Sequence, residues 1–315
     1  MVFLQTFCQI IFLLKFAYFF SNLLPKLSQC SSLAKVFSIL SGEKYPKFYS
    51  QHCFAKSFME LSFIIVNYQS REYLEKCIPS IFDCAQSVEF EIVVVNNDKS
   101  RIKFKTTKLE KIKIIEVNEN VGFGRGCNLG AKKAQGEILC FLNPDTEIIS
   151  ENINDVMAEF KKNDRVGIIG PKIIEKNGEI QEWIAGKELN LKKILKNNLG
   201  IIDDKKIWLS EKKQKVAWVT GAVLFSRRKL FEKINGFDEK FFMYFEDIDL
   251  CKRMKKSGFD ILFFPRFTVR HLGGGSVKNR LVQKKAYYKS QDYYFQKWFG
   301  KRSCYLIKFL RKFHF

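Results

Sequence analysis

The run FFMYFEDID, residues 241–249, sets Glu246, Asp247 and Asp249 directly behind an aromatic stretch that includes Phe241, Tyr244 and Phe245. A carboxylate against an apolar wall loses solvation and gains proton affinity, which suits it to take a proton from a hydroxyl group near neutral pH. The same acids also suit the first turn of a helix, where negative charge is favoured by a few tenths to about 1 kcal/mol. Leu250 and Met254, four apart, give that helix a buried stripe. Asp249 reads as a helix-end acid and Asp247 as the chemical one, because general base chemistry needs a carboxylate and few others lie beside such a wall.

The elements that must position these acids occupy residues 60–275, where strand and helix patterns alternate. Leu61–Asn67, 91–97, 113–117 and 137–142 are short apolar runs, with helical patterns over Arg71–Cys84 and about residues 124–134. Apolar strands separated by helices predict an α/β domain with a mostly parallel sheet covered on both faces. Ligands in such sheets bind beyond the carboxyl ends of the strands. Three strands end in polar residues: Asn67 and Tyr68; Asn96, Asn97 and Asp98; and Asn143, Pro144, Asp145 and Thr146. Each group alone suits a turn, but three at one edge point to a ligand.

Between the second and fourth strands, NENVGFGRGCNLG carries Gly122, Gly124, Gly126 and Gly130. It is not a dinucleotide fingerprint, because Cys127 stands where a glycine is required and the motif does not follow the first strand. A glycine-rich turn entering a helix still brings backbone N–H groups near phosphate oxygens, with Arg125 as a nearby cation. Residues 187–215 are Lys-rich with little periodicity and read as a loop without assignable chemistry.

The chain has 315 residues and a formal charge of +21, from 54 Lys and Arg against 33 Asp and Glu. It can bury a full core and favours anionic partners. Nine scattered cysteines, with no C-x-x-C pair, fit reduced thiols better than a disulfide framework or zinc site. Residues 1–58 read as a hydrophobic leader or membrane anchor; residues 2–24 approach spanning length but include Gln5, Gln9, Lys15 and Asn22. Met59, just before the first strand, is an alternative start.

From Ser276 the last 40 residues hold eleven Lys and Arg against the single acid Asp292, interleaved with aromatic rings. This segment, 276–315, reads as a tail associating with an anionic membrane surface; a helical face closing the domain is the alternative. No helix-turn-helix, zinc-finger or ribonucleoprotein pattern accompanies the charge, so nucleic acid is not an expected partner.

The series IIVNY, VVVNND, NVGFGRGCNLGAKKAQGEILCFLNPDTEI, WVTGAVLFSRR, GFDEKFFMYFEDIDLCKRMKKSGF and RHLGGGS resembles the family 2 glycosyltransferases, in particular their rhamnosyltransferase-like branch. The resemblance covers about residues 60–275, in the family's order. It implies a GT-A fold, a nucleotide-diphosphate-sugar donor, a divalent cation (Mg²⁺ or Mn²⁺) and inversion at the anomeric carbon. The implied acceptor is a glycan or lipid-linked precursor, and the implied location is the cytoplasmic face of the cell membrane, peripheral or anchored by residues 2–24.

By the same resemblance, LNPD corresponds to a D-x-D element, making Asp145 a cation ligand, with Asn143 replacing the first acid. RHLGGGS makes His271 a second ligand and residues 273–276 a pliable loop. Asn67, Tyr68, Asn97, Asp98, Gly122 and Asn128 fall at the donor, Trp218 and Tyr244 at the acceptor. Asp247 takes the place of the base, with Glu246 orienting the acceptor beside it. Two other readings stay open: an inactive membrane-bound scaffold, and a nucleotidyltransferase, which would want a phosphate-gripping loop that LSFIIVNYQSREY lacks.

Overall fold

The computed structural model describes residues 59–102, 104, 109–151, 153–273 and 280–312, all within the compact unit Phe58–Phe315. The expected leader or anchor at 1–58 and most of the loop at 273–276 lie outside the described residues. Among the described residues, no helix is long and apolar enough to cross a membrane.

The first half alternates strand and helix in nearly the expected places. It runs β1 (Leu61–Asn67), α1 (Arg71–Cys84), β2 (Phe90–Asn96), β3 (Ile112–Glu116), α2 (Phe123–Lys133) and β4 (Ile138–Leu142). Every residue of β1, β2 and β4 is buried, which is why these runs are mostly apolar rather than alternating; the buried polar pair Ser62 and Glu91 hydrogen-bond each other at 2.7 Å. Helix α1 buries Leu74, Cys77, Ile78 and Ile81, a spacing that lays one stripe against the sheet.

The second half is less regular: β5 (Thr146–Ile148), α3 (Asn154–Lys162), β6 (Val166–Glu175), β7 (Ala185–Gly186), α4 (Leu191–Asn198), α5 (Lys205–Trp208), β8 (Gln214–Val216), β9 (Trp218–Val219), β10 (Val223–Arg227), α6 (Arg228–Lys233), α7 (Glu246–Lys256), β11 (Asp260–His271) and α8 (Arg280–Arg311). The main sheet has the order β3-β2-β1-β4-β10-β6-β11-β5, with β8 also on β11, while β7 and β9 pair separately.

The sheet is mixed. Strands β1 to β4 are parallel and β6 runs parallel to β11, but β10 is antiparallel to both β4 and β6, and β5 is antiparallel to β11. This topology gathers one edge. Strands β1, β2, β4 and β11 finish there, whereas antiparallel β10 and β5 begin there. Asn67, Asn96, Asn143, residues 220–222, Asp145 and His271 therefore meet at a single rim, although the sequence scatters them over two hundred residues.

Two segments differ from the sequence reading. Residues 187–215 are not a plain loop: α4, α5 and the start of β8 fall inside them, with the Asn190 side chain accepting from Lys193 N at 2.9 Å to cap α4. The basic tail is not a separate segment along its described length. Tyr294 and Phe295 of α8 are fully buried in a second core with Ile194, Phe241, Phe245 and Ile307. The helix breaks at Gly300, where φ is 83°.

Candidate active site

The rim opens on a cleft of about 730 Å³. Its lining includes Tyr68, Asn97, Gly122, Asn143, Trp218, Gly221, Tyr244, Glu246, Asp247 and His271.

The acidic turn is strained and is held by α8. Tyr244 and Phe245 both adopt left-handed backbone, φ 67° and 66°, costly for bulky side chains. Packing secures them: Tyr244 meets Tyr287 at 5.7 Å between ring centroids, Phe245 meets Tyr294 at 5.5 Å and Phe241 meets Tyr293 at 4.7 Å. Ser290 donates to Met243 O at 2.7 Å. Tyr287 and Gln291 of α8 themselves line the cleft.

The three acids then part ways. Asp249 is fully buried and accepts from Arg253 Nε at 2.7 Å and Trp298 Nε1 at 2.9 Å, with Lys297 Nζ 2.6 Å from its Oδ1. It stands in the first turn of α7, as expected, and also anchors α8. Asp247 is partly open to the cleft; its Oδ2 accepts from Gly221 N at 2.8 Å and its Oδ1 from Ile248 N at 2.7 Å. Burial raises its proton affinity above the usual aspartate range, against the lowering effect of those two bonds. Glu246 is 6% exposed, and its Oε2 has no hydrogen-bond partner among the described residues. Burial first, and the charge of Asp247 second, hold its carboxyl well above the usual range. Burial likewise raises the Tyr244 phenol.

Across the rim, His271 ends β11 opposite Thr146, the first residue of β5. Asp145 precedes that residue and is thereby brought to His271, Oδ1 to Nε2 3.1 Å. His271 Nδ1 lies 2.8 Å from Gln181 Oε1. Asp145 does not face the cleft itself; His271, Asn143 and Pro144 do. One carboxylate oxygen and one imidazole nitrogen make a sparse donor set, with no third His, Cys, Asp or Glu joining it among the described residues. Such a pair fits a divalent cation that takes its remaining ligands from water and a diphosphate.

The residues expected at the donor divide into those at the surface and those beneath. Asn97 lines the cleft, donates to Gly122 O at 3.2 Å and keeps an unpartnered Oδ1. Gly122 has φ 88°, and a Cβ there would stand 2.5 Å from Phe242 O, so only glycine lets this turn meet the aromatic wall. Tyr68 and Asp98 line an adjoining hollow. Asn67 donates to Asn96 Oδ1 at 2.9 Å and Asp98 Oδ2 at 3.0 Å, and its Oδ1, like that of Asn97, has no hydrogen-bond partner among the described residues.

Asn128 does not reach the cleft. Its amide exchanges two 2.9 Å bonds with the Phe237 backbone and donates to Glu239, clipping α2 to the turn before the aromatic wall. Arg125 points to Glu239 as well, at 3.6 Å. Six cysteines, at 77, 84, 127, 140, 251 and 304, are buried free thiols.

Sequence reasoning missed Gln181, Trp183, Lys193 and Asp204, all of which line the cleft. The Asn190 cap followed by Leu191, Ile194 and Leu195 was the available signal for α4. Nothing local marks Gln181, which reaches His271 only through tertiary pairing.

Comparison with known proteins fits this geometry. A low-salt glycan biosynthesis hexosyltransferase, Agl10, of Haloferax volcanii is 27% identical over 215 residues, covering 64% of this chain and 64% of that protein. An N-acetylglucosaminyl-diphospho-decaprenol L-rhamnosyltransferase of Mycobacterium tuberculosis is 22% identical over 232 residues, covering 67% and 75%. The chain thus spans somewhat less than two thirds of the Haloferax relative. The crystal structure of GalNAc-T7 with UDP, GalNAc and Mn²⁺ superposes with a TM-score of 0.52 at 15% identity, over 76% of this chain and 50% of that one; the shared fold is GT-A. Residues 208–272 match the N-terminal domain of galactosyltransferase. Residues 62–234, more than half of the sequence, match Glycosyl transferase family 2, and the chain belongs to that family.

Proposed function

We propose that this protein transfers a sugar, rhamnose or another hexose, from a nucleotide-diphosphate donor to a glycan or lipid-linked acceptor, with inversion at the anomeric carbon. The observation that carries the reading is the sharing of one cleft by Asp247 and by His271, which brings the Asp145 carboxylate with it.

In this reading the acceptor hydroxyl gives its proton to Asp247 as its oxygen bonds to the anomeric carbon, and the bond from that carbon to the diphosphate breaks on the opposite side. The raised proton affinity of Asp247 helps it hold the proton, and the Gly221 and Ile248 N–H groups fix its orientation. Asp145 and His271 would hold Mg²⁺ or Mn²⁺, which when bound offsets the charge of the departing diphosphate. Asn97, Gly122 and Tyr68 bind the nucleotide, with Asp98 held in place by Asn67. Glu246, Tyr244 and Trp218 face the acceptor. Exposed apolar residues of α8, flanked by lysines and arginines, bring the protein to an anionic membrane at its cytoplasmic face, where a lipid-linked acceptor lies.

The test is a screen of the purified protein against nucleotide sugars, with released nucleoside diphosphate as the readout. Turnover of at least one donor that is lost in Asp247→Asn supports the assignment. No turnover with any donor, alone or with glycan acceptors, would return the chain to the scaffold reading.

A further inference from the structure

The wall formed by residues 183–204 bears a second set of groups that the reaction above does not use. Lys193 is 7% exposed and Asp204 0% exposed, and both line the cleft. They are ion-paired, Lys193 Nζ to Asp204 Oδ1 at 3.2 Å, with Asp203 Oδ2 at 4.0 Å. Asp204 Oδ1 also accepts from Lys187 N at 3.2 Å. Yet Lys193 Nζ and Asp204 Oδ2 have no hydrogen-bond partner among the described residues, and neither does Asn197 Oδ1, one turn along α4 from Lys193 and also on the cleft. Buried polar atoms without partners cost free energy, and all three belong to residues that line this one cleft.

The chemistry of those three atoms selects its class. One is a donor and two are acceptors. A phosphate oxygen could use only the donor and would meet two repelling oxygens, and the Lys193–Asp204 pair already balances the local charge. A sugar hydroxyl both donates and accepts. Two indoles supply the apolar surface that sugar C–H faces need: Trp183, 41% exposed, and Trp218, both lining the cleft. Trp183 is braced by Trp208, ring centroids 5.4 Å apart. Gly186 makes room for the arrangement, since a Cβ there would stand 2.6 Å from Asp204 Oδ2 and 2.7 Å from the Trp218 ring.

We infer that Trp183, Lys193, Asn197 and Asp204 form a subsite for a neutral sugar residue of the acceptor. Its attribution to the acceptor rests on the glycosyltransferase reading; the binding of a neutral sugar there does not.

The experiment is saturation-transfer NMR on the full chain with a panel of neutral methyl glycosides, using inorganic pyrophosphate as competitor. At least one glycoside should bind, Trp183→Ala and Asn197→Ala should each weaken it by roughly three- to tenfold, the range expected for losing a ring platform or a buried hydrogen bond, and Trp183→Phe should restore most of the affinity. Pyrophosphate should not displace the glycoside. Trp183 is half exposed, so its variants should melt like the parent; Lys193 and Asp204 are left unaltered because single changes there strand a buried charge. No bound glycoside in the panel, equal binding by the parent and both alanine variants, or displacement by pyrophosphate overturns the subsite. If a donor and acceptor pair is found, Trp183→Ala should raise the acceptor KM and spare the donor KM; the reverse pattern overturns the acceptor assignment. Failure of every nucleotide sugar to turn over would sink the enzymatic reading while leaving the glycoside result to stand by itself.

Discussion

Nε2 of His271 lies 3.1 Å from Oδ1 of Asp145 across 126 residues of chain. The antiparallel pairing of β5 with β11 sets this contact by placing Thr146 opposite His271. Nδ1 of the same ring lies 2.8 Å from Gln181 Oε1; in the tautomer that donates from Nδ1 to Gln181, Nε2 offers its lone pair beside the carboxylate, where a shared cation would be held by both.

Asp145→Ala and His271→Ala should therefore each weaken Mn²⁺-dependent nucleotide binding. Gln181→Leu, which leaves both donor atoms but frees the ring, should cost roughly 10- to 100-fold in metal affinity. Calorimetry with and without Mn²⁺ checks all three, and equal affinities for parent and variants would remove the cation from this pair.

Asp247→Asn preserves shape and can keep one of the two backbone hydrogen bonds, yet it cannot take a proton. Transfer should fall by about 10²- to 10⁴-fold with donor affinity unchanged. Steady-state rates and donor titration separate the two quantities, and near-normal turnover would disqualify Asp247 as base.

Glu246 carries a pH signature. Its folded-state proton affinity is raised by burial, so the folded protein holds this proton more tightly than the unfolded chain does. The contribution to stability is complete below the unfolded value of about 4.3 and is lost as pH rises through the folded value. Glu246→Gln keeps a neutral group at every pH. It should raise the melting temperature at neutral pH by a few degrees, the shift that about 1 kcal/mol produces in a domain of this size, and the gain should vanish near pH 4. A gain that does not depend on pH would contradict the buried-acid account.

Asp249 and α8 should behave as one unit. Asp249→Ala takes the carboxylate from Arg253 and the acceptor from Trp298, while Lys297 keeps Asp238, so stability should fall by about 3–5 kcal/mol. Truncation after residue 273 should unfold the acidic turn rather than release an intact enzyme, because it uncovers Phe241 and Phe245. Membrane contact needs a gentler probe. Tyr305, Leu306 and Phe309 are exposed beyond the Gly300 break, and their joint replacement by serine should lower binding to anionic vesicles while melting stays unchanged. Undiminished sedimentation with vesicles would move the membrane contact elsewhere.

Local pattern alone determined the strands and helices up to β4, since a strand buried on both faces must be apolar throughout and an amphipathic helix must repeat its stripe. The family was equally legible, carried by short motifs in fixed order. What only the tertiary structure decided is which polar residues touch. Asn128 has the right type for a ligand site but spends its amide on the Phe237 backbone and Glu239, while Asn67 uses only its amide nitrogen, on Asn96 and Asp98. Asp249 differs from Asp247 by two positions and faces α8 instead of the cleft. The tail's aromatic rings, suited equally to a membrane or a core, entered the core because Phe241 and Phe245 offered buried partners. Residue type sets what a side chain can do, and local periodicity sets which face it occupies. The partner on that face is chosen by strand pairing and helix docking between segments far apart in the chain, which no short window of sequence encodes.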